Sequence, residues 1–352
     1  MTRDAPLRSA IQQLAGGASL TEEAAARAFE VVMRGEATPA QIAALLMGLR
    51  VKGETAAEVA GAATALRGAM IRLDAGDDDG RVDTCGTGGG RVGTLNISTA
   101  AAFVVAGAGV PVAKHGNRSF TSRSGSADVL EALGIEIALP PERAAAVLKS
   151  AGIVFLFAPT YHPAMRHVGP VRKELAVPTI MNLLGPLTNP AGVRRQVIGV
   201  ADRERAPLVA GALSRLGARH ALVLHADVGM DEVSPCGRTR VWEVREEGTE
   251  EWEIEPAEHG LGSDDIAALA GGEPGENAAL IERLLAGQGA AAIRCAVLLN
   301  AAAALYVSGR GWTFGEAAGQ AEEALETGAA AEALRRLRRA APRDGASSPL
   351  SP

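Results

Sequence analysis

The chain has 352 residues, 47% of them hydrophobic and 22% charged, a balance that folds and a length that holds two domains with sizeable cores. A formal net charge of −6 excludes the basic surface of a typical nucleic-acid binder, and the one dense basic cluster, Arg335, Arg336, Arg338 and Arg339, reads as the polar face of a last helix. Cys85, Cys236 and Cys295 stand far apart without a CxxC pair, which argues for a reducing compartment over a disulfide framework; with no signal peptide and no membrane-length apolar run, a cytoplasmic protein is expected.

The first seventy or so residues read as a small helical bundle. Capping-box pairs appear at Ser19/Glu22, Thr38/Gln41 and Thr55/Glu58, with Pro39 at a first helical position and Gly35 and Gly53 suited to helix ends. Phe29, Val32 and Met33, then Ile42, Leu45, Leu46 and Leu49, recur at helical spacing. An acidic, glycine-containing linker spans 74–80. Beyond it, short apolar runs alternate with helical patterns: strands are expected at 81–84, 111–114, 135–139, 153–157, 196–200 and 221–225, and helices at 97–108, 127–133, 142–150 and 203–216. That alternation implies an α/β layer with a central, mostly parallel sheet. Residues 239–244 and 251–255, around a Glu-Glu-Gly turn, read as an antiparallel hairpin, and 266–339 as mostly helical. The segment 163–190 breaks the α/β rhythm and is expected to cross back to the bundle. The organisation read is therefore a helical domain of residues 1–75 plus about 163–190, an α/β domain of 80–162 and 191–340, and a Ser/Pro-rich tail, 341–352, read as disordered.

Four stretches carry chemistry. Cys85-Gly86-Thr87-Gly88-Gly89-Gly90-Arg91-Val92-Gly93-Thr94 follows a strand and precedes a helix, so its backbone N–H groups and the helix dipole suit phosphate; it lacks the Gly-Lys-Ser/Thr of a P-loop, and taken alone a plain tight loop is the competing reading. Asn96-Ile97-Ser98-Thr99 then crowds three polar side chains into a first helical turn, of which a simple N-cap explains one. Lys114-His115-Gly116-Asn117-Arg118-Ser119 follows a strand, where α/β sheets face their ligands; Lys114 can meet pyrophosphate as a point charge, against the alternative of solvated surface charges at Lys114 and Arg118. Ser124-Gly125-Ser126-Ala127-Asp128 is a second small-residue turn before a helix. Asp231-Glu232 places adjacent carboxylates that repel unless a cation joins them, as magnesium does.

Together these stretches resemble the anthranilate phosphoribosyltransferases of tryptophan biosynthesis. GTGGGRVGTLNISTA, VAKHGNRSFTSRSGSADVLEALG, FAPTYHPAM, VRKEL, NLLGPLTNP and DEVS follow in that family's order, across residues 7–337. The resemblance implies a homodimer of a helical domain hinged to a nucleoside phosphorylase/phosphoribosyltransferase-like α/β domain. It implies that phosphoribosyl pyrophosphate (PRPP) is bound by Gly86, Gly89, Gly90, Thr94, Asn96, Ile97, Ser98, Thr99, Lys114, His115, Gly116, Asn117, Arg118, Ser119, Phe120, Thr121, Ser122 and Ser126. Ser98, Asp231 and Glu232 would hold two magnesium ions, and Gly86, Asn117 and Arg172 would contact anthranilate, with Tyr161, His162 and Pro186 as further wall residues. No side chain is singled out as acid, base or nucleophile; Lys114, Asp231 and Glu232 would act electrostatically while the amine displaces pyrophosphate with inversion at the anomeric carbon. The chain departs from the family at Gly90-Arg91, where Asp-Gly is usual, and a shifted magnesium dependence is expected there. Two other classes fit parts of the pattern. A nucleoside phosphorylase of the same fold is opposed by Asp231-Glu232 and Asn117, and a non-enzymatic nucleic-acid-binding relative by the net charge.

Overall fold

The computed structural model describes residues 4–76, 79–90, 92–119 and 123–343. The chain opens with four helices, α1 (Ala5–Ala15), α2 (Glu22–Met33), α3 (Pro39–Lys52) and α4 (Ala56–Ala69). Thr38/Gln41 and Thr55/Glu58 form complete capping boxes at α3 and α4. The expected Ser19/Glu22 box does not form: Thr21 is the cap of α2, accepting from Ala24 N at 3.2 Å. The Ser19 hydroxyl instead accepts from Lys52 Nζ at 3.2 Å.

After the linker come β1 (Val82–Gly86), α5 (Ile97–Gly107), β2 (Val112–Gly116), α6 (Ser126–Ala132), α7 (Pro141–Ala151), β3 (Ile153–Phe157) and α8 (Ala158–Tyr161). The crossing segment holds a 3-10 turn, Pro163–His167, then α9 (Gly169–Leu175) and α10 (Met181–Leu184). The chain continues through β4 (Arg195–Gly199), α11 (Ala206–Arg215), β5 (His220–Ala226), β6 (Thr239–Arg245) and β7 (Gly248–Ile254). It ends in α12 (Pro274–Leu285), α13 (Ala291–Val307), α14 (Phe314–Glu326) and α15 (Ala329–Ala340).

The strands form one seven-stranded sheet in the order β3-β2-β1-β4-β5-β6-β7. β1 to β5 are parallel, and β6 and β7 complete the sheet antiparallel. Winding reverses between β1 and β4, the place where such sheets open a crevice at the carboxyl ends of their strands. The outer edge, β7, exposes Glu250, Glu251 and Glu253, charges that discourage pairing with another chain.

Alternation along the inner strands feeds two cores. Leu222 and Leu224 pack with α5 and α12–α15, whereas Ala221 and Val223, with Ile198 and Val200, pack toward α11 and the bundle, as the two-residue period of a strand requires. The second core also takes in Ala164, Val168, Val171, Ile180, Met181, Leu183 and Leu184 from the crossing segment. α11 joins it through Val209, Ala210 and Leu213, so bundle packing runs past residue 190 into the α/β layer. α5 and α13 are built largely from alanine and small aliphatics and approach their neighbours closely. A side chain on Gly107 would stand 2.6 Å from Ala330 N of α15.

Two expectations fail here for physical reasons. Residues 135–139 bury Ile135, Ile137 and Leu139 alternately, yet make only an isolated bridge from Ile135 to Pro342; the alternation packs an extended connection on the core with no strand beside it. The tail expected to be disordered from 341 is held through 343, Glu136 N donating to Ala341 O at 2.9 Å and Arg343 N to Gly134 O at 3.2 Å. Residues 344–352 lie outside the described residues.

Glu58 joins three elements of the bundle. Its buried carboxylate accepts from Leu20 N and Thr55 N, both at 2.8 Å, and from Lys52 Nζ at 2.9 Å. Glu58→Ala removes the charge partner of the Lys52 ammonium, which keeps Ser19 Oγ and Gly53 O, and leaves two N–H groups without that acceptor. It is expected to destabilise the protein by about 3 kcal/mol, read as a lowered melting temperature, with Glu58→Gln losing less.

Candidate active site

The glycine loop leaves β1 at Gly86, beside Gly199 of β4, and Thr87 N donates to Gly199 O at 2.8 Å. Gly88 and Gly89 have φ of +70° and +87°, a region closed to most side chains. Gly86 and Gly90 of the loop, with Gly199 of β4, answer to Asp231. A Cβ on Gly90 would lie 2.5 Å from its Oδ1 and one on Gly86 3.2 Å from its Oδ2, while one on Gly199 would collide with its carbonyl. The loop and the turn after β5 are thus fitted to each other through missing side chains. The aspartate usual at position 90 in the resembled family would have to displace Asp231. Arg91 is outside the described residues.

Glu232 meets the first turn of α5: its Oε1 accepts from Ser98 N at 3.0 Å and its Oε2 from Thr94 Oγ1 at 3.3 Å, as a carboxylate does at a helix N-terminus. Burial raises both acids, Glu232 to about 8 with the Asp231 charge adding to the effect. Asn300 of α13 holds the next residue on both sides, accepting from Val233 N at 3.0 Å and donating to Val233 O at 2.9 Å. Lys114 lies beneath this turn rather than in solvent. It is buried and donates to Thr84 O, to Ser98 Oγ at 3.2 Å and to Thr84 Oγ1 at 3.5 Å. Its hydrogen bonds are directed at protein oxygens, and its charge lies close to Asp83 and Glu232. Ile97 and Thr99 also depart from the expectation: both are buried, and their N–H groups donate to Leu95 O and Asn96 O.

Past β2 the chain turns tightly. Gly125 N and Ser119 N donate to Asp128 Oδ2 at 2.9 and 3.2 Å, Ser126 Oγ to Asn117 O at 3.3 Å, and a Cβ on Gly116 would strike Ser126 Oγ. Arg118, expected at the ligand, is taken up by α6: it donates to Asp128 Oδ1 and Glu131 Oε1, both at 2.9 Å, and lies over the Phe157 ring. Phe120, Thr121 and Ser122 lie outside the described residues.

His115 and His162 form a buried pair with Nε2 atoms 3.2 Å apart, and His115 Nδ1 is 3.1 Å from Gly185 O. Burial pushes His115 down to about 3, the neighbouring His162 adding to it, and His162 to about 4. Asp83, inside β1, binds this corner together. It accepts from His115 N at 3.1 Å, Asn189 Nδ2 at 2.8 Å and Gln196 Nε2 at 3.5 Å, while Gln196 Nε2 also donates to Pro186 O at 2.8 Å. Tyr161 is fully buried with its hydroxyl on Leu139 O, a packing role. Arg172, on α9, is half-buried; burial lowers its pKa, and among the described residues no hydrogen bond or ion pair engages its guanidinium.

Residues 8–70 match the helical bundle domain of a glycosyl transferase family, and residues 78–331 its α/β domain. The anthranilate phosphoribosyltransferase of Rubrobacter xylanophilus is 51% identical over 331 residues, 94% of this chain and 96% of that one. That of Herpetosiphon aurantiacus is 50% identical over 94% and 98%. The chain belongs to the anthranilate phosphoribosyltransferase family. The family's crystal structure from Thermus thermophilus superposes with a TM-score of 0.89 at 44% identity, over 94% of this chain and 98% of that one. The Saccharomyces cerevisiae enzyme in complex with PRPP and Mg does so at 0.87 and 28%, over 96% and 98%. The phosphorylase and nucleic-acid-binding alternatives give way to this membership.

Sequence reading missed Asp83, Gln196 and Asn300, which touch the site from behind. Asn300 had a signal: a lone amide amid the apolar run of α13.

The histidine pair makes a pH prediction. Both imidazoles are neutral in the fold and take protons near 6.5 once unfolded, so the unfolded state gains protons below that value and stability falls with pH. At pH 5.5 the loss is about 1 kcal/mol per histidine. His162→Asn is expected to show a shallower drop in melting temperature between pH 7 and 5.5 than the unaltered protein; an equal slope refutes the assignment.

Proposed function

We propose that the crevice over Gly86–Gly90, the start of α5 and the turn after β2 binds PRPP as its magnesium complex, with anthranilate toward α9. The reaction is the family's: the phosphoribosyl group of PRPP passes to the amine of anthranilate, giving N-(5-phosphoribosyl)anthranilate and pyrophosphate, in tryptophan biosynthesis.

One observation carries the residue assignment. Two carboxylates, Asp231 and Glu232, sit at a glycine loop and a helix N-terminus, where backbone donors favour anions. A polyanion can share that space only if cations join the two. The donors fit magnesium. Among the described residues no group of three acidic, histidine or cysteine ligands exists, and magnesium takes few protein ligands and fills its sphere with water and phosphate oxygens. Asp231, Glu232 and the Ser98 hydroxyl are the proposed ligands, and the reading takes two ions. Bound magnesium would neutralise charge on the departing pyrophosphate.

The chain's own groups do the remainder. Gly89, Gly90, Thr94 and Asn96 hold phosphate oxygens, with Lys114 behind Ser98. Asn117 and the turn through Ser119 and Ser126 close the other side. Arg172, whose guanidinium has no partner among the described residues, takes the anthranilate carboxylate as a bidentate pair, and Gly86 and the neutral His115 border the ring. The aromatic amine attacks C1 of the ribose with a free lone pair, the C1–O bond to pyrophosphate breaks on the opposite face, and the nitrogen then loses its proton. Positioning is the main contribution asked of the protein.

The same reading takes the protein as a cytoplasmic homodimer without nucleic-acid partners; among the described residues no helix is long and apolar enough to cross a membrane. Light scattering of the purified chain tests the dimer.

Anthranilate fluorescence is expected to decay on mixing with PRPP and magnesium, and to persist with EDTA; persistence in both overturns the proposal. Arg172→Ala is expected to raise KM for anthranilate about tenfold or more with KM for PRPP nearly unchanged. Asp231→Asn is expected to cut kcat/KM by roughly a hundredfold or more. Gly90→Asp is expected to shift the magnesium concentration needed for half-maximal rate, and an unchanged magnesium profile contradicts the role given to that loop.

A further inference from the structure

Three stretches distant in sequence meet on the outer side of the start of α5. Residues 269–271 run against 93–95: Leu95 N donates to Leu269 O at 2.9 Å and Gly271 N to Gly93 O at 3.1 Å, with Thr94 and Ala270 in an isolated antiparallel bridge. A Cβ on Gly271 would stand 2.5 Å from Thr94 O, so only glycine lets this strap lie flat on the phosphate-facing loop.

Asn277, on α12 and 1% exposed, ties the strap to the site. Its Oδ1 accepts from Gly272 N at 2.8 Å and its Nδ2 donates to Asn96 Oδ1 at 3.0 Å. Asn96 in turn donates through Nδ2 to Ser124 O at 3.1 Å and accepts from Ser124 Oγ at 3.2 Å. The orientations are forced in sequence. Gly272 N–H fixes which side of the Asn277 amide is oxygen, the Asn277 NH2 then fixes Asn96, and Asn96 fixes the loop at Ser124. Coupled buried amides of this kind specify one arrangement because each wrong orientation leaves a polar group facing its like.

We propose that Asn277 is a positioning residue for PRPP: by orienting the Asn96 side chain it holds the loop of Gly93–Asn96 and the loop of Ser124–Ser126 at one spacing. This rests on the reading that both loops face PRPP. Asn277 makes no substrate contact in this account; it sets the width of the cradle from a helix that no phosphate-binding motif includes.

Asn277→Asp separates the possibilities. The aspartate keeps the acceptor for Gly272 N–H and turns the second bond from donor to acceptor, so Asn96 must flip and present its oxygen to Ser124 O. KM for PRPP, and the dissociation constant of PRPP with magnesium by calorimetry in the absence of anthranilate, are expected to rise about tenfold. KM for anthranilate should stay within about twofold. Ser124→Ala removes the hydroxyl bond at the loop end of the same chain without adding charge, leaving the Asn96 bond to the backbone carbonyl, and is expected to weaken PRPP in the same direction by a smaller factor while melting with the unaltered protein. Unchanged PRPP affinity in Ser124→Ala and in folded Asn277→Asp overturns the inference, as does a parallel rise in both KM values with a lowered melting temperature, which marks scaffold damage alone. Absence of PRPP binding by the unaltered protein sinks the functional reading with it, whereas normal turnover with unaffected variants sinks this inference only.

Discussion

Asp83 is the joint on which the site depends. A carboxylate with no exposure, in an inner strand of the sheet, is stable only if its lone pairs are met. They are met by the backbone of β2 at His115 and by Asn189 and Gln196. Burial raises its pKa, while the Lys114 charge and the hydrogen bonds oppose that rise. One side chain thus sets the position of β1, β2 and β4 relative to the segment 185–189. That segment is gripped from the other side by Arg67 of α4, whose guanidinium donates to Leu187 O at 2.7 Å. The crossing between bundle and sheet is therefore fastened by polar contacts at both faces, and the His115–His162 pair and the glycine loop hang from it.

Around that joint the crevice is shaped more by what is missing than by what is present. Gly86, Gly90 and Gly199 leave room for Asp231 to lie against the loop, and Gly271 leaves room for the strap beside Thr94. With aromatics at only 3% of the chain, alanine-rich helices such as α5 and α13 pack closely, which puts Asn300 within reach of Val233 behind the acid pair. Close packing of small residues transmits position well, since little side-chain freedom remains to absorb a shift.

Electrostatically the site is poised against itself. Two carboxylates, an ammonium hydrogen-bonded to protein oxygens, and a helix N-terminus occupy one corner. Their raised and lowered affinities for protons share burial as the leading cause. An arrangement of this kind is unfavourable in a dry interior and becomes favourable when opposite charges arrive together, as the proposed magnesium complex of PRPP would bring them.

The sequence by itself determined the alternation of the α/β layer, most of the boundaries read there to within a residue or two, the two capping boxes at Thr38 and Thr55, and the motifs that mark the family, because these depend on neighbours within a few residues of one another. Tertiary structure decided the rest. Residues 135–139 alternate like a strand, but pairing needs a neighbouring backbone that the fold does not supply. Arg118 stands in a ligand motif, yet two carboxylates of α6 reach it first. Lys114 reads as a charge facing the ligand crevice, with solvent exposure as the alternative, whereas β2 is an interior strand and turns it under Ser98. Asp83 and Asn277 carry no local signature that points to phosphate, and Asn300 carries only that of a lone amide in an apolar helix. The partners that tie them to the site lie between 32 and 181 residues away, and hydrogen bonds across such separations exist only once the sheet and helices have brought their ends together.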